Sequence, residues 1–246
     1  MPLKCIGPEP ATEPPKIFML IVKLILGSIT NQIIFGLLLF LPAGTLEWRR
    51  AWVFIGIVQA GYLAMAIWIF PKRPDLLDER FKPPIQKGQP LADRIILLLF
   101  LAVYFGWVVF VPVDVFRLHC WMGAPGPVMS SVGLIFVVDG MVLFFFCLQQ
   151  NAFAAPVVRH QVERSHTVID RGVYGTVRHP MYAGAVLLMV GMALWLESYA
   201  GAVLAFVPIG LLAIRIQIEE KFLLEKLRGY DAYRERVRYR LIPFVW

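Results

Sequence analysis

The sequence predicts an all-α protein, a polytopic membrane bundle of about six transmembrane helices. Of its 246 residues, 59% are hydrophobic, and the mean hydropathy is +0.67. Charged residues make up only 17%, below the roughly 25% that is typical of soluble globular domains. Apolar segments recur along the chain, most of them close to the ~20 residues that a helix needs to cross a bilayer. The composition therefore indicates an integral membrane protein with little soluble mass.

Six apolar segments divide the chain into two regions. The first four spans are predicted at about residues 17–41, 51–71, 95–116 and 128–150. They form an amino-terminal membrane region, residues 1–150. Two shorter spans, at about residues 181–197 and 199–217, are separated only by a turn, which favours a tight helical hairpin. Residues 151–246 form the second region, in which polar segments flank this hairpin.

Lysines and arginines predict how the spans are oriented. If all six segments cross, most of the 24 Lys and Arg residues fall on the side that holds both termini. Cytoplasmic loops carry such an excess, so both termini are predicted to be cytoplasmic. The segment 71–90, with five prolines, is then a cytoplasmic connecting loop. The polar segments 151–182 and 215–246 meet on the same side, which predicts a cytoplasmic pocket.

The net charge of +7 is more typical of basic loops that face anionic lipids than of nucleic-acid binding. The three cysteines include no C-x-x-C pair. The spacing of His160, His166 and His179 matches no zinc pattern. The sequence therefore predicts membrane lipids as partners, with no nucleic acid and no metal site.

The segment 172–184, GVYGTVRHPMYAG, places polar residues at the start of an apolar helix. Pro180 suits the first turn of a helix, where its missing N–H costs nothing. His179 then precedes the helix, and helix N-termini attract anions and hydrogen-bond acceptors. Two interpretations remain open for Arg178 to Tyr182. They form a binding site for a polar ligand, or a basic anchor with an interfacial tyrosine.

Arg215, Glu219 and Glu220 form a second polar group at the end of the last span. Arg215 and Glu219 are four residues apart and so share one helix face. A weak ion pair would explain these two residues but not Glu220, because acids are unfavourable near a helix C-terminus. Both polar groups together suit a zwitterionic or cationic ligand with a flat ring. The motifs of soluble nucleotide-binding proteins and zinc proteases are absent from the sequence.

Two further charged residues, Lys23 and Asp139, fall inside predicted spans. An ionisable residue within a membrane span is a functional candidate. For Asp139, a protonated or hydrogen-bonded structural acid is an equally good interpretation.

Three linked segments resemble the isoprenylcysteine carboxyl methyltransferase family. They are HTVIDRGVYGTVRHPMYAG, RIQIEEKFLLEKL and GYDAYRERVRYRLIPF, in this order. Phospholipid N-methyltransferases belong to the same broader group of membrane enzymes. The resemblance covers about residues 150–246 and implies S-adenosyl-L-methionine as the cofactor.

The resemblance also implies roles for individual residues. The cofactor contacts of the family correspond to Gln161, His166, Thr167, Val168, Ile169, Tyr174, Arg178, His179, Pro180, Met181, Tyr182 and Glu219. Gln161 lies closer to His166 here than in the family pattern. Glu219 matches the glutamate that holds the amino-acid part of the cofactor, and Arg215 matches an arginine assigned to the acceptor. Glu220 is a candidate catalytic residue, because it or a tyrosine could help an amine acceptor to lose its proton.

The expected function is an integral membrane methyltransferase whose lipophilic acceptor enters from the bilayer. The Arg215 spacing favours carboxyl O-methylation of an isoprenylcysteine-type, prenylated substrate. The alternative is a phospholipid or small-amine N-methyltransferase. A membrane reductase of the sterol-reductase type and a non-enzymatic transporter also remain, although the polar residues cluster at one membrane face rather than at the midplane. The expected location is a bacterial inner membrane or the endoplasmic reticulum.

Overall fold

The computed structural model describes residues 16–120, 123–154, 157–158 and 167–246, and these contain helices but no β-strand. The α-helices are α1 (Lys16–Ala43), α2 (Arg49–Trp68), α3 (Pro74–Phe81), α4 (Leu91–Val113), α5 (Pro127–Gln150), α6 (Pro180–Trp195), α7 (Tyr199–Leu204), α8 (Phe206–Lys226) and α9 (Tyr230–Arg236). A π-helical turn, Asp114–Leu118, extends α4, and a 3-10 turn, Gly172–Gly175, precedes α6. The predicted all-α class is confirmed.

Five segments of the described chain are long and apolar enough to cross a membrane. They are Phe18–Ala43, Arg49–Lys72, Leu91–Leu118, Pro127–Gln150 and Tyr199–Lys226. The remaining predicted span corresponds to α6, which has only 16 residues. At 1.5 Å per residue this helix is about 24 Å long, shorter than the ~30 Å hydrocarbon core. The protein is thus an integral, multi-pass membrane protein, and α6 is a short apolar helix within its bundle.

Long helices alternate in direction, so the bundle has two ends. We refer to the end at which α6 begins and α8 finishes as the site end. At the opposite end, the Ser198 hydroxyl donates to a carboxylate oxygen of Asp114 at 2.5 Å. Arg50 pairs there with Glu197 at 3.1 Å and donates to the Trp195 carbonyl at 2.9 Å. These bonds fix the turn between α6 and α7 against α2 and α4.

A seam of glycines joins α5 to α6. Gly133 lies against Gly191, and Gly140 lies against Gly184, so the two backbones touch without intervening side chains. Small residues permit such close approach between membrane helices. A Cβ atom added at Gly191 would lie 2.7 Å from the Gly133 carbonyl oxygen and 2.8 Å from a backbone nitrogen. Because no side-chain rotation relieves these contacts, the seam fixes the position of α6.

The expected connecting loop at residues 71–90 contains α3 (Pro74–Phe81). Pro74 occupies the first turn of this helix, a position that tolerates proline. Leu76 and Leu77 are fully buried against the bundle. The expectation of a connecting loop was therefore wrong for residues 74–81, because two buried leucines anchor a short helix whose prolines lie only at its start and beyond its end.

The last two predicted spans correspond to α6 and to α7 with α8. The start of α6 and the later turns of α8 meet at the site end, as expected for a hairpin. Its second arm is longer than expected, since α8 continues to Lys226 rather than ending near residue 217. Side-chain bonds connect the start of α6 to α8 there, including one from Tyr182 to Glu219. Along their lengths, however, α6 packs mainly on α5 and α8 packs mainly on α4.

Replacing Gly191 with Ala tests the glycine seam. We expect the variant to lower the free energy of unfolding by about 1–3 kcal/mol, as overpacking of a close contact does. Gly210→Ala is the matched control, because a Cβ atom at Gly210 meets no atom within 4 Å and alanine favours helix. Thermal unfolding in detergent measures both variants. Equal stability of Gly191→Ala and the parent protein would contradict a rigid seam.

Candidate active site

A cavity of about 190 Å³ lies at the site end, between the start of α6, the end of α8 and α9. Eleven residues that the sequence singles out line this cavity: Thr167, Val168, Ile169, Tyr174, Arg178, His179, Pro180, Met181, Tyr182, Arg215 and Glu219. The lining also contains several residues that the sequence did not indicate: Arg80, Asn151, Phe153, Ala154, Val157, Val158, Leu223, Leu227, Tyr230 and Tyr233. We refer to it as the polar cavity. Gln161 and His166 lie outside the described residues.

Glu220 is the centre of a buried ion cluster rather than a wall of the polar cavity. Its Oε1 atom accepts from Arg178 Nε at 2.7 Å and lies 3.2 Å from His179 Nε2. Its Oε2 atom accepts from Arg240 Nε at 2.9 Å. Glu220 is only 3% exposed and does not line the cavity. A carboxylate held by these partners is unsuited to removing a proton from an acceptor, which corrects the expected catalytic role of Glu220.

Arg178 holds the carboxyl-terminal tail through the same cluster. Its Nη1 atom donates to the carbonyl oxygens of Val237 and Arg238, at 2.7 and 2.8 Å. Its backbone N–H donates to the Tyr239 carbonyl at 2.9 Å. Arg178 therefore borders the cavity, but its charge and its donors are used to position the tail.

The backbone N–H of His179 donates to the Arg240 carbonyl at 2.9 Å. The tail thus occupies this amide, which is not available to a ligand. The imidazole itself lies against Glu220 and lines the cavity.

Glu219 presents its carboxylate to the cavity. Tyr182 donates its hydroxyl to Glu219 Oε2 at 2.8 Å. Within the part of the chain that the structure describes, no hydrogen bond to Glu219 Oε1 is found. One oxygen is thus oriented by Tyr182 while the other remains for a cationic group. Adjacent positions on α8 therefore differ in role, since Glu219 faces the cavity and Glu220 faces the tail.

Arg215 is oriented by Asp93, near the start of α4. Arg215 Nε donates to Asp93 Oδ1 at 2.8 Å, and Asp93 is fully buried. Asp93 Oδ2 accepts from Gln89 Nε2 at 2.7 Å and from the Val158 backbone N–H at 3.1 Å. Arg215 borders the cavity while this carboxylate balances its charge. The weak pair with Glu219 that the sequence suggested is thus not the main explanation for a charge at this depth.

Tyrosines form much of the remaining wall. Tyr233 donates its hydroxyl to the Tyr174 carbonyl at 2.8 Å, which ties α9 to the turn at Gly172–Gly175. Burial raises the pKa of Tyr174, Tyr230 and Tyr233 above the usual value of a phenol. Their hydroxyls therefore stay uncharged near neutral pH and act as hydrogen-bonding groups and aromatic surfaces.

Sequence reasoning missed Asp93, Tyr230, Tyr233 and Arg80. Asp93 reads as an ordinary acid in the first turn of a helix, where acids are favoured. Tyr230 and Tyr233 lie within a segment that resembles the family, so their spacing of three on one helix was an available signal. Arg80 lies in the segment expected to be a loop, and no local signal placed it at the cavity.

A second cavity, of about 360 Å³, lies inside the helix bundle. Aromatic and aliphatic side chains dominate its lining, among them Phe35, Phe54, Trp107, Phe144 and Met192. We refer to it as the apolar cavity.

The two other charged residues within spans lie elsewhere. Asp139 is exposed on α5 and borders neither cavity. Lys23 pairs with Asp78 of α3 at 2.6 Å. Neither residue has a position in the candidate site.

Replacing Glu220 with Gln tests its role in positioning the tail. The variant leaves Arg178 as a buried cation without its carboxylate, and such a loss costs about 3–5 kcal/mol. We expect a lower midpoint of thermal unfolding in detergent and faster proteolysis of residues 237–246. Glu225→Gln changes an exposed carboxylate on the same helix and is expected to alter neither. Unchanged proteolysis of Glu220→Gln would show that the tail is held without this cluster.

Comparisons with known proteins bear on the region that contains this site. A sequence model of the phospholipid methyltransferase family matches residues 128–229. Probable protein-S-isoprenylcysteine O-methyltransferases of Oryza sativa, from subspecies indica and japonica, are each 32% identical over 121 residues. This match covers 48% of the present chain, and the chain spans 62% of the length of each relative.

A solved structure of the eukaryotic intramembrane Ras methyltransferase, isoprenylcysteine carboxyl methyltransferase, is also similar. It shares 18% identity at a TM-score of 0.47, covering 93% of the present chain and 85% of the other. The matched residues 128–229 extend from α5 to the end of α8 and contain most of the polar cavity. The carboxyl-terminal part of this chain thus matches the phospholipid methyltransferase family and, as its motifs predict, resembles the isoprenylcysteine carboxyl methyltransferases.

Proposed function

We propose that the protein is an integral membrane methyltransferase that uses S-adenosyl-L-methionine and methylates a lipophilic acceptor. The observation that carries this proposal is the junction of two cavities of different polarity. The polar cavity contains the residues that match the family, and the apolar cavity lies beside it within the bundle. Such a pair of cavities suits a reaction between a water-soluble donor and a membrane-soluble acceptor.

The residues of the polar cavity fit S-adenosyl-L-methionine. This cofactor carries an ammonium group, a carboxylate, an adenine and a sulfonium centre, and it supplies an electrophilic methyl group when bound. Glu219, with Oε2 oriented by Tyr182, suits the ammonium group. The tyrosines supply flat surfaces for the adenine and for cationic groups. Thr167, Val168 and Ile169 border the same space and remain candidate contacts.

The apolar cavity fits the hydrocarbon part of an acceptor. Its volume of about 360 Å³ lies within the range of small-molecule sites. An isoprenyl chain meets mainly aromatic and aliphatic side chains there, and it would enter laterally from the bilayer. We propose carboxyl O-methylation of an isoprenylcysteine-type substrate as the reaction.

The chemistry requires alignment more than acid–base assistance. A carboxylate oxygen already has the lone pair that forms the new C–O bond, so no proton must leave the acceptor. Arg215, held by Asp93, orients the acceptor, and the surrounding side chains exclude water. An amine acceptor would need a base, and Glu220 is committed to its ion cluster. This difference favours O-methylation over phospholipid or small-amine N-methylation.

The remaining alternatives have less support. A sterol-reductase type of enzyme requires a nicotinamide site. The polar cavity is instead lined by residues of the segments that resemble methyltransferases. A transporter would use charged residues within the membrane, but Asp139 and Lys23 lie outside both cavities. We also propose that the site end is cytoplasmic, which the distribution of Lys and Arg supports.

Calorimetric binding of S-adenosyl-L-methionine to the purified protein in detergent tests the cofactor. We expect binding of this donor and none of a nicotinamide dinucleotide. Glu219→Gln removes the charge that faces the ammonium group and should weaken affinity about tenfold or more, as for a hydrogen bond to a charged group. Asp139→Asn is the matched control and should bind like the parent protein. Equal affinities for all three proteins would remove Glu219 from the site.

A test of the role of Arg215 requires a variant that does not leave the buried Asp93 carboxylate without a cationic partner. Arg215→Lys keeps the positive charge but loses the planar donor fork. We expect unchanged donor affinity and a fall of about tenfold or more in methyl transfer to a prenylcysteine, measured with labelled donor. The double variant Asp93→Ala, Arg215→Ala removes both charges and reports the effect on stability alone. Full methyl transfer by Arg215→Lys would indicate that Arg215 serves only to pair with Asp93.

A further inference from the structure

Arg80 extends from α3, the short helix at the site end. Leu76 and Leu77, on the same helix, are 0% and 1% exposed. They pack with Met65 of α2, with Phe70 just after it and with Leu148 of α5 in one apolar cluster. The backbone that carries Arg80 is thereby anchored to the bundle, although its segment lies between two membrane spans.

Arg80 lines both cavities, and among the described residues no other does so. Its neighbours Leu77 and Phe81 line the apolar cavity alone. On the other side, Arg80 Nη1 lies 3.4 Å from the carbonyl oxygen of Ala154, which borders the polar cavity. The guanidinium group therefore belongs to the junction of the two cavities.

The three arginines that line the polar cavity differ in how their charges are balanced. Arg178 pairs with Glu220 at 2.7 Å, and Arg215 pairs with Asp93 at 2.8 Å. Within the described parts of the chain, Arg80 has no carboxylate within 4.0 Å, and its hydrogen bond is the long one to Ala154. Burial lowers the pKa of Arg80 below the usual value of a guanidinium.

A partly buried cation without a carboxylate partner among the described residues makes an anionic ligand favourable. Removing a charge from water is costly unless an opposite charge compensates it. Guanidinium groups bind carboxylates through paired, charge-assisted hydrogen bonds. Since the apolar cavity opens directly beside Arg80, the favoured ligand has a carboxylate at one end and a hydrocarbon chain at the other.

We propose that Arg80 binds the carboxylate of the methyl acceptor and thereby selects anionic over neutral and cationic acceptors. This inference rests on the proposed function, whose substrate class it specifies. In the transfer, a carboxylate oxygen forms the bond to the methyl carbon. The C–S bond of the donor breaks, and its electron pair stays on sulfur. The product ester is uncharged, so its attraction to Arg80 is lost and its release is favoured.

Arg80→Gln and Arg80→Lys test this selection, with Lys87→Gln as the control. Lys87 is an exposed cation of the same interhelical segment and lines neither cavity. The probes are N-acetyl-S-farnesylcysteine and its carboxamide, which differ in the charged group alone. Their dissociation constants are measured in detergent, and the affinity for S-adenosyl-L-methionine is measured in parallel. Phosphatidylethanolamine serves as a third acceptor in the transfer assay.

We expect the parent protein and Lys87→Gln to bind the acid about tenfold or more tightly than the amide. Arg80→Gln should bind the two probes equally while it retains affinity for the donor, and Arg80→Lys should recover part of the preference. If Arg80→Gln does not fold, a reduced preference in Arg80→Lys supports the proposal, and a full preference overturns it.

A preference for the acid that survives in folded Arg80→Gln would overturn the proposal, as would equal binding of the two probes by the parent protein. Transfer to phosphatidylethanolamine alone would also overturn it. Failure of the parent protein to bind S-adenosyl-L-methionine would instead overturn the proposed function. The two failures are distinguishable because the preference between acid and amide is measured by binding and requires no methyl transfer.

Discussion

The site depends on the ion pairs that the buried carboxylate of Glu220 forms. This carboxylate joins three parts of the chain that are distant in sequence: the residues before α6, the helix α8 and the tail at Arg240. Its partner Arg178 extends the connection to the carbonyls of residues 237 and 238. Breaking a buried pair by removing one partner is strongly unfavourable. The cluster therefore holds the tail against the residues before α6 and against α8, beside the polar cavity.

The position of this ion cluster in the bundle depends on helix α6. The glycine seam with α5 determines where α6 lies. It thereby also fixes the positions of His179 and Tyr182, which lie at the amino-terminal end of α6. Further along the same helix, Leu188, Met189 and Met192 line the apolar cavity. One rigid element thus contributes to both cavities, so a shift of α6 would alter the polar and the apolar sites together. This coupling explains why a short helix is packed so tightly against a neighbour.

Local sequence patterns predicted much of the site because its residues lie in two continuous segments. Arg178 to Tyr182 surround the start of α6, and Arg215 to Glu220 lie on successive turns of α8. Proline chemistry and helix periodicity were therefore sufficient to single out both segments. Asp93 could not be recognised in this way, because its pairing with Arg215 spans 122 residues. The role of Glu220 was misjudged for the same reason, since its partners lie on the tail and before α6. Helix α3 was missed because the prolines around it were taken as evidence for a loop, and the two adjacent leucines were not recognised as a buried helix face.

The arginines around the two cavities differ in whether a carboxylate of the chain balances their charge. Arg178 with Glu220 and Arg215 with Asp93 are pairs whose positive charges are matched within the chain. In these pairs each charge is already compensated, so Arg215 can orient an acceptor through its planar donors while it adds little net charge. Arg80 stands apart, since its carbonyl partner provides a dipole rather than a charge. A donor with a cationic sulfonium and an acceptor with an anionic carboxylate would meet between Glu219 and Arg80. Charge complementarity would then place the two reactants on opposite sides of the same small space, which is the alignment that a direct methyl transfer requires.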